Sequence, residues 1–116
     1  MNNHHQRIVK VSGELREGKF EIKISHWKLL IETNRYYEIK PENGVVKRIY
    51  KEKLNTVCDE TKSYVNGFLS CSAYCNEDRI NDMQIEILKL LQLKIKTYIN
   101  ELQLNQRAID RYSLSG

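Results

Sequence analysis

Cys71 and Cys75 stand four residues apart, with Cys58 upstream and His4, His5 and His26 as the histidines. A zinc ion takes four thiolate or imidazole ligands in a tetrahedron, usually supplied as two closely spaced pairs. Here one cysteine pair has a usable spacing, and a second would have to be assembled from distant single residues. The pattern therefore predicts no metal site and no cofactor, only reduced thiols at the edge of a core, with Tyr74 between them packing in the same way. An odd number of cysteines also argues against a disulfide framework.

Nucleophilic catalysis needs a base beside the nucleophile and a group to orient that base. Only His26 lies outside the N-terminal stretch MNNHHQ, and it precedes Trp27 in a segment that reads as a strand. Glu14 and Glu21 are expected to face one another across a hairpin, as paired carboxylates do in acid–base sites. Arg16, Lys19 and Lys23 surround them, however, and make a solvated charge lattice the simpler expectation. No glycine-rich phosphate loop, metalloprotease pair or serine elbow occurs. The expectation is a non-enzyme with no small-molecule substrate.

Basic and aromatic residues interleave in two places, Arg35-Tyr36-Tyr37 and Lys47-Arg48-Ile49-Tyr50-Lys51. Exposed tyrosines on a sheet stack on bases while Lys and Arg hold phosphates. If the two stretches are neighbouring strands, Arg35, Tyr37, Lys47, Arg48, Tyr50 and Lys51 form a candidate surface for nucleic acid or an acidic partner. Strand propensity alone also favours Tyr, and Lys protects sheet edges from aggregation. The charge is placed to match: residues 1–57 carry 12 Lys/Arg against 7 Asp/Glu, whereas residues 58–116 carry 7 against 8.

The elements that must position these groups follow from periodicity. In RIVKVSGELREGKFEIKIS, a two-residue turn at Glu17-Gly18 puts Leu15 opposite Phe20, Gly13 opposite Ile22 and Val11 opposite Ile24, with the apolar residues on one face. Residues 26–31 continue as a third extended segment. Tyr36–Lys40 and Val45–Leu54 flank the turn-forming Pro41-Glu42-Asn43-Gly44. The expected fold is α+β: a four- to five-stranded antiparallel meander over residues 7–57, packed on one long C-terminal helix over residues 77–111. Between them, residues 55–75 read either as a short helix capped by Asp59 and ended by Gly67, or as a buried strand or loop at Phe68–Cys71. At 116 residues the chain suits a single domain.

The helix carries more apolar surface than one sheet covers. At 100° per residue, Ile80, Met83, Ile87, Leu88, Leu91, Ile95, Tyr98, Ile99, Leu102 and Ile109 span about half its circumference, beyond the ~100° of an ordinary core-facing stripe. Leu93 and Leu104 lie outside even that stripe, and Ile85 lies beyond its edge. Either the helix breaks near Asn105 and folds back, or another chain covers the surplus. The expected interface residues are Leu93, Tyr98, Leu104 and Tyr112, and the expected partner is another protein or a second copy joined through the C-terminal helix. No apolar run reaches the ~18 residues of a membrane span, and the N-terminus lacks a secretory signal, so a cytoplasmic location without membrane contact is expected. Small size, basic charge and absent chemistry fit a phage or mobile-element inhibitor of host nucleic-acid-targeting defence machinery, anti-CRISPR-like. The alternative is a nucleic-acid-binding protein using the basic, tyrosine-bearing sheet.

Overall fold

In the computed structural model, which describes residues 7–61 and 67–115, the fold is α+β. A six-stranded antiparallel sheet packs on one C-terminal helix. In chain order the strands are β1 (Ile8–Arg16), β2 (Lys19–Glu32), β3 (Tyr36–Pro41), β4 (Lys47–Tyr50), β5 (Thr56–Asp59) and β6 (Leu69–Asn76), followed by the helix α1 (Ile80–Ser115). The order across the sheet is β4-β3-β2-β1-β6-β5.

The first hairpin has the expected register, Leu15 opposite Phe20, Gly13 opposite Ile22 and Val11 opposite Ile24. Its turn residues Glu17 and Gly18 have φ of 51° and 79°, the left-handed pair that a two-residue hairpin loop demands. Residues 26–31 are not a separate strand but the second half of β2, which runs 14 residues and crosses a register shift between Leu29 and Ile31. The meander is confined to β1–β4. Thr56–Asp59 is a strand, not the start of a helix, and Phe68–Cys71 leads into a buried strand that pairs with β1 across 60 residues of sequence. The rest of the alternative helix between Asp59 and Gly67 lies outside the described residues.

The connection from β4 to β5 shapes the sheet. Those strands are opposite edges, about 24 Å apart if five strand spacings were laid flat. Only residues 51–55 join them, including a turn of 3-10 helix over Lys51–Lys53. Six Cα steps reach at most ~22 Å even fully extended, and the 3-10 turn shortens that reach, so the sheet must curl. The curl brings Lys47 of β4 within 5.0 Å of the Tyr74 ring of β6, and the Asn55 N–H donates to the Tyr74 carbonyl at 2.7 Å.

Curling produces two cores, one on each face. Ile8 and Val9 are both fully buried although they point opposite ways. Val9 joins Val11, Leu69, Cys71, Ala73 and Cys75 beneath Met83, Ile87 and Leu91 of α1. Ile8 joins Tyr37, Ile39 and Ile49 on the concave face, with Trp27, Leu29, Leu54 and Tyr74 packed around them. Trp27 and Tyr74 meet edge-to-face at 5.3 Å, an arrangement aromatic quadrupoles favour.

The helix does not break at Asn105. Its 36 residues would measure about 54 Å. Burial stops after Tyr98, and every described side chain from Ile99 to Leu114 is exposed. The molecule accordingly extends 73 Å along one axis and 25–27 Å along the others, with a radius of gyration of 19.1 Å against ~13 Å for a compact chain of this length. No helix among the described residues is long and apolar enough to cross a membrane.

Candidate functional site

The cysteines are not brought together. Cys71 and Cys75 share one face of β6, four residues and thus ~13 Å apart along the strand. Cys58 pairs with Ser72 and so belongs to the other face, where it is exposed. No cluster of three metal-capable side chains occurs among the described residues. Burial pushes the Cys71 thiol up to about 11 and raises Cys75 as well, so neither is a thiolate nucleophile at neutral pH.

Glu14 and Glu21 do face each other, and Lys23 bridges them at 3.4 Å to each. This is the charge lattice expected from the surrounding lysines. His26 is exposed and sits 3.9 Å from Glu77. It borders an open groove of about 860 Å³ between β2 and the β3–β4 loop, lined chiefly by Trp27, Leu29, Leu30, Pro41 and Val46. Arg7, Lys28, Lys40 and Glu42 border it as well, so its mainly apolar floor has a charged rim.

The basic–aromatic strands are neighbours, as expected, but their residues divide between faces. Tyr37 pairs with Ile49 and is only 6 % exposed in the concave core. Arg48 and Tyr50 point the other way, with Tyr36 and Glu38. Arg48 lies 4.0 Å over the Tyr36 ring and 3.2 Å from Glu38. Lys51 donates to Glu32 at 2.7 Å while lying over the Tyr37 ring. Lys47 lies over Tyr74, and Arg35 is exposed beside Tyr50 at the β2–β3 turn. Tyr37 and Tyr50 therefore do not form one stacking platform, and two of the six candidates have carboxylate partners.

The remaining feature is α1. Met83, Ile87 and Leu91 are buried and Tyr98 is half-buried against the same core, so Tyr98 serves the chain's own packing as well as bordering the free side. Lys94 ties this part of the helix to the edge strand by donating to Asp59. Burial pushes the Asp59 carboxyl up, but hydrogen bonds from Lys94 and from the Thr61 N–H outweigh it and hold it below the usual range. Beyond this docked segment the surface is bare. Leu93, Leu104 and Tyr112 are 60 %, 59 % and 82 % exposed, and Leu88, Ile95, Ile99, Leu102 and Ile109, which the sequence groups in one broad stripe with the buried residues, are exposed too. Of its ten residues three are buried, Ile80 and Tyr98 are half-buried, and these five are exposed.

No family model, curated protein or solved structure matches this chain.

Proposed function

We propose that this chain is a non-enzymatic protein-binding module that works through the uncovered side of α1. One observation carries the reading: half of a continuous 36-residue helix projects from the body with its Leu, Ile and Tyr side chains in water. A helix segment of ~15 residues that buries none of its side chains is marginal in water, and contiguous exposed apolar surface marks an interaction site. The buried thiols and divided basic strands supply no competing chemistry.

The biological setting that suits such a module is inhibition of nucleic-acid-targeting defence machinery by a phage or mobile element. Small size, a surplus of positive charge and action by contact alone support it. Free thiols suit a reducing cytoplasm.

The test is the native mass of the full chain, together with the proteins it retains, for wild type and for charged substitutions at exposed α1 positions including Leu93, Leu104 and Tyr112. A mass above one chain, or a retained partner, that is lost on substitution supports the reading. A chain that stays single, and whose retained proteins are indifferent to every α1 substitution, ends it.

A further inference from the structure

The exposed apolar residues of α1 are not scattered. Ile85, Leu88, Gln92, Ile95, Ile99, Leu102, Gln106 and Ile109 follow one another at alternating steps of three and four residues. That spacing is the a/d pattern of a heptad repeat sustained over four heptads, with Ile85, Gln92, Ile99 and Gln106 at a and Leu88, Ile95, Leu102 and Ile109 at d. At 100° per residue, this seam is centred roughly 100° around the helix from the side that Met83, Ile87 and Leu91 press on the sheet. The broad apolar stripe thus has two parts, one used by the chain's own core and one left open.

A period of 3.5 residues says what covers the open stripe, because only another helix supercoiled on the first keeps such a seam in contact along its length. Resting on the protein-contact reading above, we infer that the seam pairs with the same seam of a second copy, in parallel and in register, as a two-stranded coiled coil.

Three features choose an identical partner and this orientation. The six apolar seam residues are between 38 % and 62 % exposed, on the order of 500 Å² per chain and ~1,000 Å² for a pair, which meets the lower bound for a specific interface and suits a pair that dissociates on dilution. Parallel in-register pairing sets Gln92 against Gln92 and Gln106 against Gln106, so each buried amide meets an amide. Polar pairs at a positions fix register in this way. Antiparallel pairing centred on Thr97 would instead set Gln92 against Leu102 and Gln106 against Leu88, facing each amide with an apolar side chain, and would bring the two copies of Lys96 together. Ile at a with Leu at d in the first and third heptads favours two strands, whereas Ile95 and Ile109 at d make three strands the competing assembly.

Sedimentation of the full chain from 1 to 100 µM tests the pairing, with Ile99→Lys and Leu102→Lys on the seam, Asn100→Lys and Arg107→Glu as exposed off-seam variants, and Leu93→Lys and Leu104→Lys on the rival face. The expected result is a two-chain mass for wild type and for the off-seam variants, and a dissociation constant raised at least 100-fold by either seam variant. Far-UV circular dichroism of each variant checks that the sheet and docked helix remain. A single-chain mass for wild type at 100 µM overturns the self-pairing, while the protein-contact reading stands or falls on its retained partners. A pair dissolved by Leu93→Lys or Leu104→Lys but not by the seam variants overturns the seam alone, and a three-chain mass overturns the two-stranded assignment. Orientation is read by oxidation in a Cys58→Ser background. Ile109→Cys alone forms a covalent dimer if the strands are parallel, whereas a link that needs Ile85→Cys and Ile109→Cys together overturns the parallel register.

Discussion

Gly13 lies directly beneath Ile87: a Cβ on Gly13 would sit 2.5 Å from the Ile87 Cγ2. The missing side chain lets α1 settle onto the sheet where β1 crosses under it, between Ile22 on one side and Cys71 on the other. Ile87 is fully buried. Gly13→Ala should therefore overpack the interface and cost about 1–3 kcal/mol, read as a lower midpoint in urea with little change in slope. A variant as stable as wild type would mean that the helix sits further from the sheet than 2.5 Å implies.

The same residue shows how far local pattern reaches. A hairpin of fixed loop length dictates its own register, so Gly13 opposite Ile22 is legible from period-two alternation and a turn at Glu17-Gly18 alone. That a helix would descend on Gly13 is not, because the contact joins residues 74 positions apart. The pairing of β6 with β1 is hidden for the same reason. Cys71-Ser-Ala-Tyr-Cys75 has small residues at its buried positions, giving a weak strand pattern until the neighbouring strand and helix are known. Tyr37 illustrates the opposite failure: its alternation with Tyr36 was readable, but which of the two faces water depends on the curl that closes the concave core. The surplus on α1 was legible in full, because helical periodicity spans only neighbouring turns. The seam is written there too, since the 3-4 spacing from Ile85 to Ile109 is present in the sequence itself.

The ion pair between Lys94 and Asp59 predicts a pH dependence at both ends of the scale. Asp59 has a folded pKa below its ordinary value near 3.8, so its stabilisation is present above that value and lost as pH falls through the folded pKa. Lys94 has a folded pKa raised above 10.5, with the Asp59 hydrogen bond as the main cause. Its stabilisation is present below 10.5 and lost as pH rises through the folded pKa. Because Asp59 is partly exposed, Asp59→Asn should cost only about 0.5–1 kcal/mol at pH 7. The difference in melting temperature between wild type and variant should shrink in strong acid. An undiminished difference there would remove the ionised carboxylate from the explanation.

Binding to nucleic acid should be weak and should not localise to the basic strands. Arg48 and Lys51 already hold Glu38 and Glu32, and Tyr37 is buried, so releasing these groups to phosphates would cost existing contacts. Titration of single-stranded DNA at 50 mM salt should give a loss of less than threefold in affinity for Lys47→Ala, Arg48→Ala and Lys51→Ala taken singly. A drop of tenfold or more for any of them, with a shallower salt slope, would restore the sheet as a phosphate-binding surface.

The thiols should separate cleanly by reactivity. Cys58 is exposed at the edge of the sheet, while Cys71 and Cys75 are fully buried beneath α1. A thiol-specific disulfide reagent at pH 8 should label one cysteine per folded chain within minutes and all three once the chain is unfolded in denaturant. Above pH 9 the contrast gains a thermodynamic side. The Cys71 thiol stays protonated in the fold up to about 11, whereas in the unfolded chain it ionises near its ordinary value. The unfolded state then binds fewer protons than the folded one, and stability falls as pH rises between those two values. Cys71→Ala should flatten part of that alkaline decline, at a cost in packing visible at neutral pH as well. Rapid labelling of two or three thiols in the folded chain would show that α1 lifts from β6 far more often than a helix anchored by Met83, Ile87 and Leu91 permits.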